Sequence, residues 1–112
     1  MLKAPLESAE QIGFVRWFRN RFENVIIYAI PNGGKRGWKT SKTFKEEGLL
    51  PGIPDLHIPE WRIWIEMKRI KGGIISEDQK KIIKYLEGIG DIVIIGYGAE
   101  DASRKLLEVR KS

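Results

Sequence analysis

The sequence predicts an α/β fold: a central mixed β-sheet flanked by helices. Three observations predict it. Apolar residues recur at helical spacing near the start of the chain and again in its second half. Short β-branched runs stand between these helical stretches. One pair of runs is joined tightly enough for a hairpin, whereas a helical stretch separates the last two, which mixes antiparallel and parallel pairing.

From about Glu7 to Arg21, Phe14, Trp17, Phe18 and then Phe22 repeat at intervals of three and four, the stripe of an amphipathic helix. Asn24 turns the chain into Val25–Ile26–Ile27–Tyr28–Ala29–Ile30, expected as a buried strand that Pro31–Asn32–Gly33–Gly34 stops. Residues 35 to 47 are expected as a basic loop or short helix. Turn-rich Pro51–Gly52–Ile53–Pro54 leads into a strand at Asp55–Ile58, and Pro59–Glu60 connects it to a second strand at Trp61–Lys68. After Gly72–Gly73, Ser76 opens a helix in which Gln79, Ile82, Ile83 and Leu86 share a face. Asp91 to Gly96 is a last strand and Ala99 to Val109 a last helix with Leu106 inward. No repeat or linker divides the 112 residues, so residues 1–112 are expected to form one domain.

Apolar content of 42% and charged content of 31% are those of an ordinary folded protein. A formal charge of +5 makes nucleic acid the leading partner class, ahead of an anionic membrane surface. No apolar run approaches the ~20 residues of a spanning helix. Met1–Leu2–Lys3 runs directly into polar sequence, so no secretory signal is expected. The chain has no cysteine, which rules out disulfides, thiolate chemistry and cysteine-ligated zinc. The simplest reading is a cytoplasmic protein.

The chemistry lies in the hairpin. Side chains alternate along a strand, so Trp64, Glu66 and Lys68 share one face while Ile63, Ile65 and Met67 share the other. Asp55, entering the neighbouring strand, can lie beside Glu66. Two carboxylates and one ammonium suit phosphodiester hydrolysis: hard oxygen ligands for magnesium or manganese, and a cation to orient water or offset charge on the phosphate. The ammonium also offsets repulsion between the carboxylates.

Pro54–Asp55 followed by Glu66–Met67–Lys68 resembles the PD-(D/E)xK signature of restriction-endonuclease-like nucleases. More narrowly, the chain resembles the virus-type replication-repair nuclease (VRR-NUC) domain. The matching pieces are Glu10–Gln11, Ile30–Pro31–Asn32–Gly33–Gly34, the stretch from Gly48 to Leu56, Ile65–Glu66–Met67–Lys68, and Ser76–Glu77–Asp78–Gln79. That resemblance implies a restriction-endonuclease-like fold and a magnesium- or manganese-dependent DNA endonuclease. Asp55, Glu66 and the main-chain carbonyl of Met67 would be metal ligands and Lys68 the catalytic lysine. Glu10 would approach the metal, with Glu7 one turn earlier as the alternative. Gln79 would align Lys68 or the nucleophile. Stand-alone members resemble dimeric resolvases of branched DNA, so a homodimer acting on junctions is expected. A DNA-binding module on the same fold that no longer cleaves is the alternative.

Simpler readings stand beside these. Asp55 after a proline is a common turn residue, and Glu66 with Lys68 an ordinary edge-strand ion pair, although the strand is otherwise Trp and Ile. Glu10 suits a helix's first turn by the dipole alone. Ser76 to Gln79 is a capping box that occupies Gln79 without any catalytic role. Lys35, Arg36, Lys39, Lys42 and Lys45 arrive with Trp38 and no acid before Glu46, which favours phosphate contacts, with Trp38 free to stack. His57 shares the face of Asp55 but reads as packing, and Trp61 and Trp64 as core or interface area.

Overall fold

The computed structural model describes residues 7–31 and 41–110. Helix α1 (Glu7–Arg21) forms as its periodicity requires and fully buries Phe14 and Phe18. Its aromatic stripe continues through Phe22, which meets Trp61 edge-on at 5.0 Å.

The run after α1 departs from expectation. Only Tyr28–Ala29 form a strand, β1, and Ile26 is 69% exposed although its neighbour Ile27 is buried. The reason is the partner. β2 (Leu56–Ile58) is three residues long, bounded by Pro54 and Pro59, and β1 pairs with just His57 and Leu56. An edge strand beside so short a neighbour stays short. Residues 32–40 lie outside the described residues; they include the turn expected at Asn32–Gly34 and the candidate DNA contacts Lys35, Arg36, Trp38 and Lys39. The basic stretch resumes as a short helix, α2 (Ser41–Glu46), on which Lys42 is exposed.

Between β2 and the long central strand β3 (Ile63–Lys68), Pro59–Trp61 form a single 3-10 turn that ends at Arg62, whose φ of 56° is left-handed. β3 therefore starts two residues later than the sequence suggests, because proline at the first position of the turn is preset for helical φ. β2 and β3 are antiparallel, with Leu56 opposite Ile65 and His57 opposite Trp64. Helix α3 (Glu77–Gly88) then carries the chain to β4 (Ile92–Tyr97), which lies parallel to β3 in the register Ile63 opposite Ile92 through Lys68 opposite Tyr97. Helix α4 (Ala99–Arg110) follows. The sheet order is β1-β2-β3-β4, mixed as predicted.

The period of two divides the sheet. One face presents Leu56, Ile58, Ile63, Ile65, Met67 and Ile94, which with Phe14 and Phe18 of α1 and Ala102 and Leu106 of α4 make the buried core. The other face presents Asp55, His57, Trp64, Glu66 and Lys68, and α3 approaches that side. No helix among the described residues is long and apolar enough to cross a membrane.

β4 and α4 approach closely at Gly96. A Cβ placed on Gly96 would lie 2.5 Å from the Cβ of Ala102. Gly96→Ala should therefore destabilise the chain by about 1–3 kcal/mol through overpacking, read by thermal or urea unfolding. Adding Ala102→Gly should recover part of the loss, and an unchanged unfolding curve for the single variant would mean that helix and strand do not touch.

Candidate active site

Extending the β2–β3 register by one residue sets Asp55 opposite Glu66. Pro54, fully buried, fixes the entry into this position. The Met67 N–H donates to Asp55 Oδ2 at 2.8 Å, and the Ile30 N–H to the Asp55 carbonyl at 2.8 Å. Asp55 is thereby held at side chain and main chain at once.

Glu66 is 2% exposed. Its Oε2 accepts a hydrogen bond from Gln79 Nε2 at 2.9 Å and lies 3.4 Å from Lys68 Nζ. Lys68, also buried, donates to Gln79 Oε1 at 3.0 Å. The same Oε1 accepts the Ser76 N–H at 2.8 Å, while the Gln79 N–H donates to Ser76 Oγ at 3.1 Å. Gln79 therefore closes the capping box of α3 and also hydrogen-bonds both Glu66 and Lys68. The loop before β2 packs against the same turn, since a Cβ on Gly52 (φ +92°) would stand 2.5 Å from the Asp78 carbonyl oxygen. A cavity of about 430 Å³ opens there, walled by Phe44, Leu49, Pro51 and Gln79.

The third acid is Glu7. Ligand-type oxygens of Glu7, Asp55 and Glu66 all lie within 4.8 Å of one another. Glu10, the helix acid first expected here, is occupied elsewhere: its Oε1 accepts the Ala99 N–H at 2.7 Å, in the first turn of α4, where a carboxylate also meets the favourable end of the helix dipole. One turn apart, the two acids divide the work, Glu10 tying α1 to α4 and Glu7 reaching the hairpin. The sequence signal for Glu7 was present, but the turn that reaches the site depends on how far α1 slides along α4.

These acids fit a divalent cation on the structure's own terms. Glu66 Oε1 is buried and, among the described residues, accepts no hydrogen bond, a costly condition for a carboxylate oxygen. It belongs to the group of three carboxylates that offers hard oxygen donors, so this acidic triad can bind a metal ion. Burial first, then the Asp55 charge, raises the Glu66 carboxyl to about pKa 7, and Lys68 opposes the rise.

On the same sheet face, His57 and Trp64 stack at 3.8 Å, and the Tyr28 hydroxyl lies 2.7 Å from His57 Nδ1. Trp64 Nε1 donates to Asp91, which also pairs with Arg62. His57 is thus engaged in packing, as its sequence reading has it, and burial lowers its pKa. Trp61 packs on Phe18 and Phe22 with the Arg110 guanidinium 3.9 Å above its ring.

No family model and no curated protein sequence matches the chain. Among solved structures it is similar to one described as a VRR_NUC domain protein, at 22% sequence identity, with a TM-score of 0.81 over 98% of this chain and 92% of that one. The likeness establishes the fold: a four-stranded mixed sheet flanked by helices.

Glu66 makes stability depend on pH. In the folded chain it keeps its proton to about pH 7, whereas unfolded it ionises near 4.5. Between those values the folded state holds a proton that the unfolded state has released, so stability falls as pH rises, by about 3 kcal/mol at most. Urea unfolding in chelator from pH 4.5 to 7.5 should show this decline, and Glu66→Gln should flatten it. A divalent cation replaces the proton, so its stabilising effect should grow over the same range; a metal effect independent of pH would exclude Glu66 as a ligand.

Proposed function

We propose that the chain is a magnesium- or manganese-dependent endodeoxyribonuclease that selects branched DNA. The observation that carries the reading is the buried, unpartnered Glu66 Oε1 within a three-carboxylate group on a nuclease-like fold, beside a buried lysine. Asp55, Glu66 and Glu7 would hold the cation, with the Met67 carbonyl as a further oxygen donor. Such an ion supplies Lewis acidity to a phosphate oxygen and acidifies water.

The residues of the chain do the rest. Lys68 presents an ammonium where negative charge grows on the phosphate, and a preorganised cation in a buried site is worth more than one in water. Gln79 is a positioning residue: its carbonyl oxygen holds Lys68 and its amide holds Glu66, so the charge is aimed before substrate arrives. Glu10 is assigned to the α1–α4 junction and not to catalysis. The basic stretch of Lys35, Arg36, Trp38, Lys39 and Lys42 would contact the DNA backbone. Cutting both arms of a symmetric junction needs two sites, which a homodimer supplies.

The test is cleavage of matched single-stranded, duplex, flap and four-way-junction DNAs with either metal. Paired incisions in the junction, lost in Glu66→Gln at equal DNA occupancy, are expected. Binding without cleavage of any of these would leave a DNA-binding module. Lys68→Ala should retain binding and slow cleavage by about 100-fold or more; loss of binding and folding together would make the lysine structural. Glu7→Gln should weaken metal affinity, whereas Glu10→Gln should lower the melting temperature with affinity kept. The reverse pattern would restore Glu10 as the helix-borne ligand.

A further inference from the structure

Helix α1 buries one face, yet its outer face is not an ordinary solvated surface. Ser8, Gln11, Arg16 and Arg19 follow one another at helical spacing, with Ile12 among them 59% exposed. This face forms one wall of a cavity of about 590 Å³, and the β1 edge, with Tyr28 and Ala29, forms the other. The cavity begins beside the carboxylates on α1, since Ser8, which lines it, follows Glu7.

We infer that the groove between α1 and the β1 edge is the track for the nucleic-acid strand leaving the carboxylate site, with Arg16 and Arg19 holding its phosphates. The inference rests on the nuclease reading and adds a substrate path to it. Both arginines are exposed, one turn apart on the same helix face. They are the only formally charged residues lining the cavity among those described, which makes the groove complementary to a polyanion. The Arg19 guanidinium lies 3.5 Å from the Ile27 carbonyl, which leans it over the groove and leaves further N–H donors for a phosphate.

The spacing suits a backbone. At 1.5 Å per helical residue, Arg16 and Arg19 stand about 13 and 18 Å along α1 from Glu7. A duplex strand advances about 3.4 Å per nucleotide along its axis, so the arginines meet phosphates about four and five nucleotides from the cut. The exposed Ile12 offers the sugar carbons a nonpolar contact. A second copy of this chain is a poorer occupant, because the same groove brought against itself offers no carboxylate to Arg16 and Arg19.

The test is binding of labelled duplex and junction DNA by the full chain in chelator, followed by anisotropy between about 50 and 200 mM salt. Arg16→Gln with Arg19→Gln should reduce the salt slope by about two, and Arg16→Gln alone by about one, with melting temperatures unchanged. Uncharged methylphosphonates four and five nucleotides from the cut should weaken the parent and leave the double variant unaffected. A parent that binds and cleaves while the double variant keeps the full slope overturns the groove and spares the nuclease reading. A parent that binds no nucleic acid overturns both. Light scattering with Ile12→Asp covers the remaining occupant: conversion of a dimer to monomers with DNA affinity intact would make the groove a protein interface.

Discussion

The rest of this structure depends on a carboxylate buried where carboxylates are expensive. Glu66 stands in the middle of the central strand, almost wholly removed from water, facing a second acid across the hairpin and a third from α1. A charge in that position costs several kcal/mol unless it is paired, protonated or bound to a cation. The chain supplies partners from two elements, Lys68 from the same strand and Gln79 from α3, while Asp55, just before β2, and Glu7 of α1 add like charges. Several elements therefore deliver a group to one point. The unpartnered Glu66 Oε1 leaves this point incompletely satisfied by the described residues.

Two side chains show how closely architecture and site are joined. Gln79 caps α3 with the same carbonyl oxygen that receives the Lys68 ammonium, so the start of a helix and the aim of a cation are set by one amide. Glu10 accepts the first N–H of α4 and thereby fixes how α1 lies against α4, which lets Glu7 reach the hairpin. Close backbone approaches serve the same end. Gly96 lets α4 press onto β4, and Gly52 lets the loop before Asp55 press onto α3. The sheet keeps these roles apart by its pleat, with the apolar core on one face and the carboxylates, Lys68 and the His57–Trp64 stack on the other.

Charge outside the site follows a similar logic. A chain of net charge +5 concentrates three acids inward and leaves arginines along the outer face of α1. On the proposed nuclease reading, acids at one point and arginines beside it suit a polyanionic substrate and its metal ion.

The sequence alone determined the α/β class, the hairpin and the shared face of Glu66 and Lys68. Strand periodicity is local, and a run such as Ile63–Lys68 has one way to alternate. It also determined Asp55, because a proline followed by an acid at the head of a strand fixes which residue faces the hairpin partner. Tertiary structure decided the rest. Whether Glu7 or Glu10 reaches the site depends on the axial position of α1, which a hydrogen bond to α4, 89 residues away, establishes. Whether Val25–Ile30 becomes a long strand depends on the length of its partner, and β2 offered two residues. Whether Gln79 only caps α3 or also meets Lys68 had no local answer, since Lys68 arrives from β3. Interactions between residues close in sequence are written into spacing and residue type. Those that join distant elements appear only when the elements are packed.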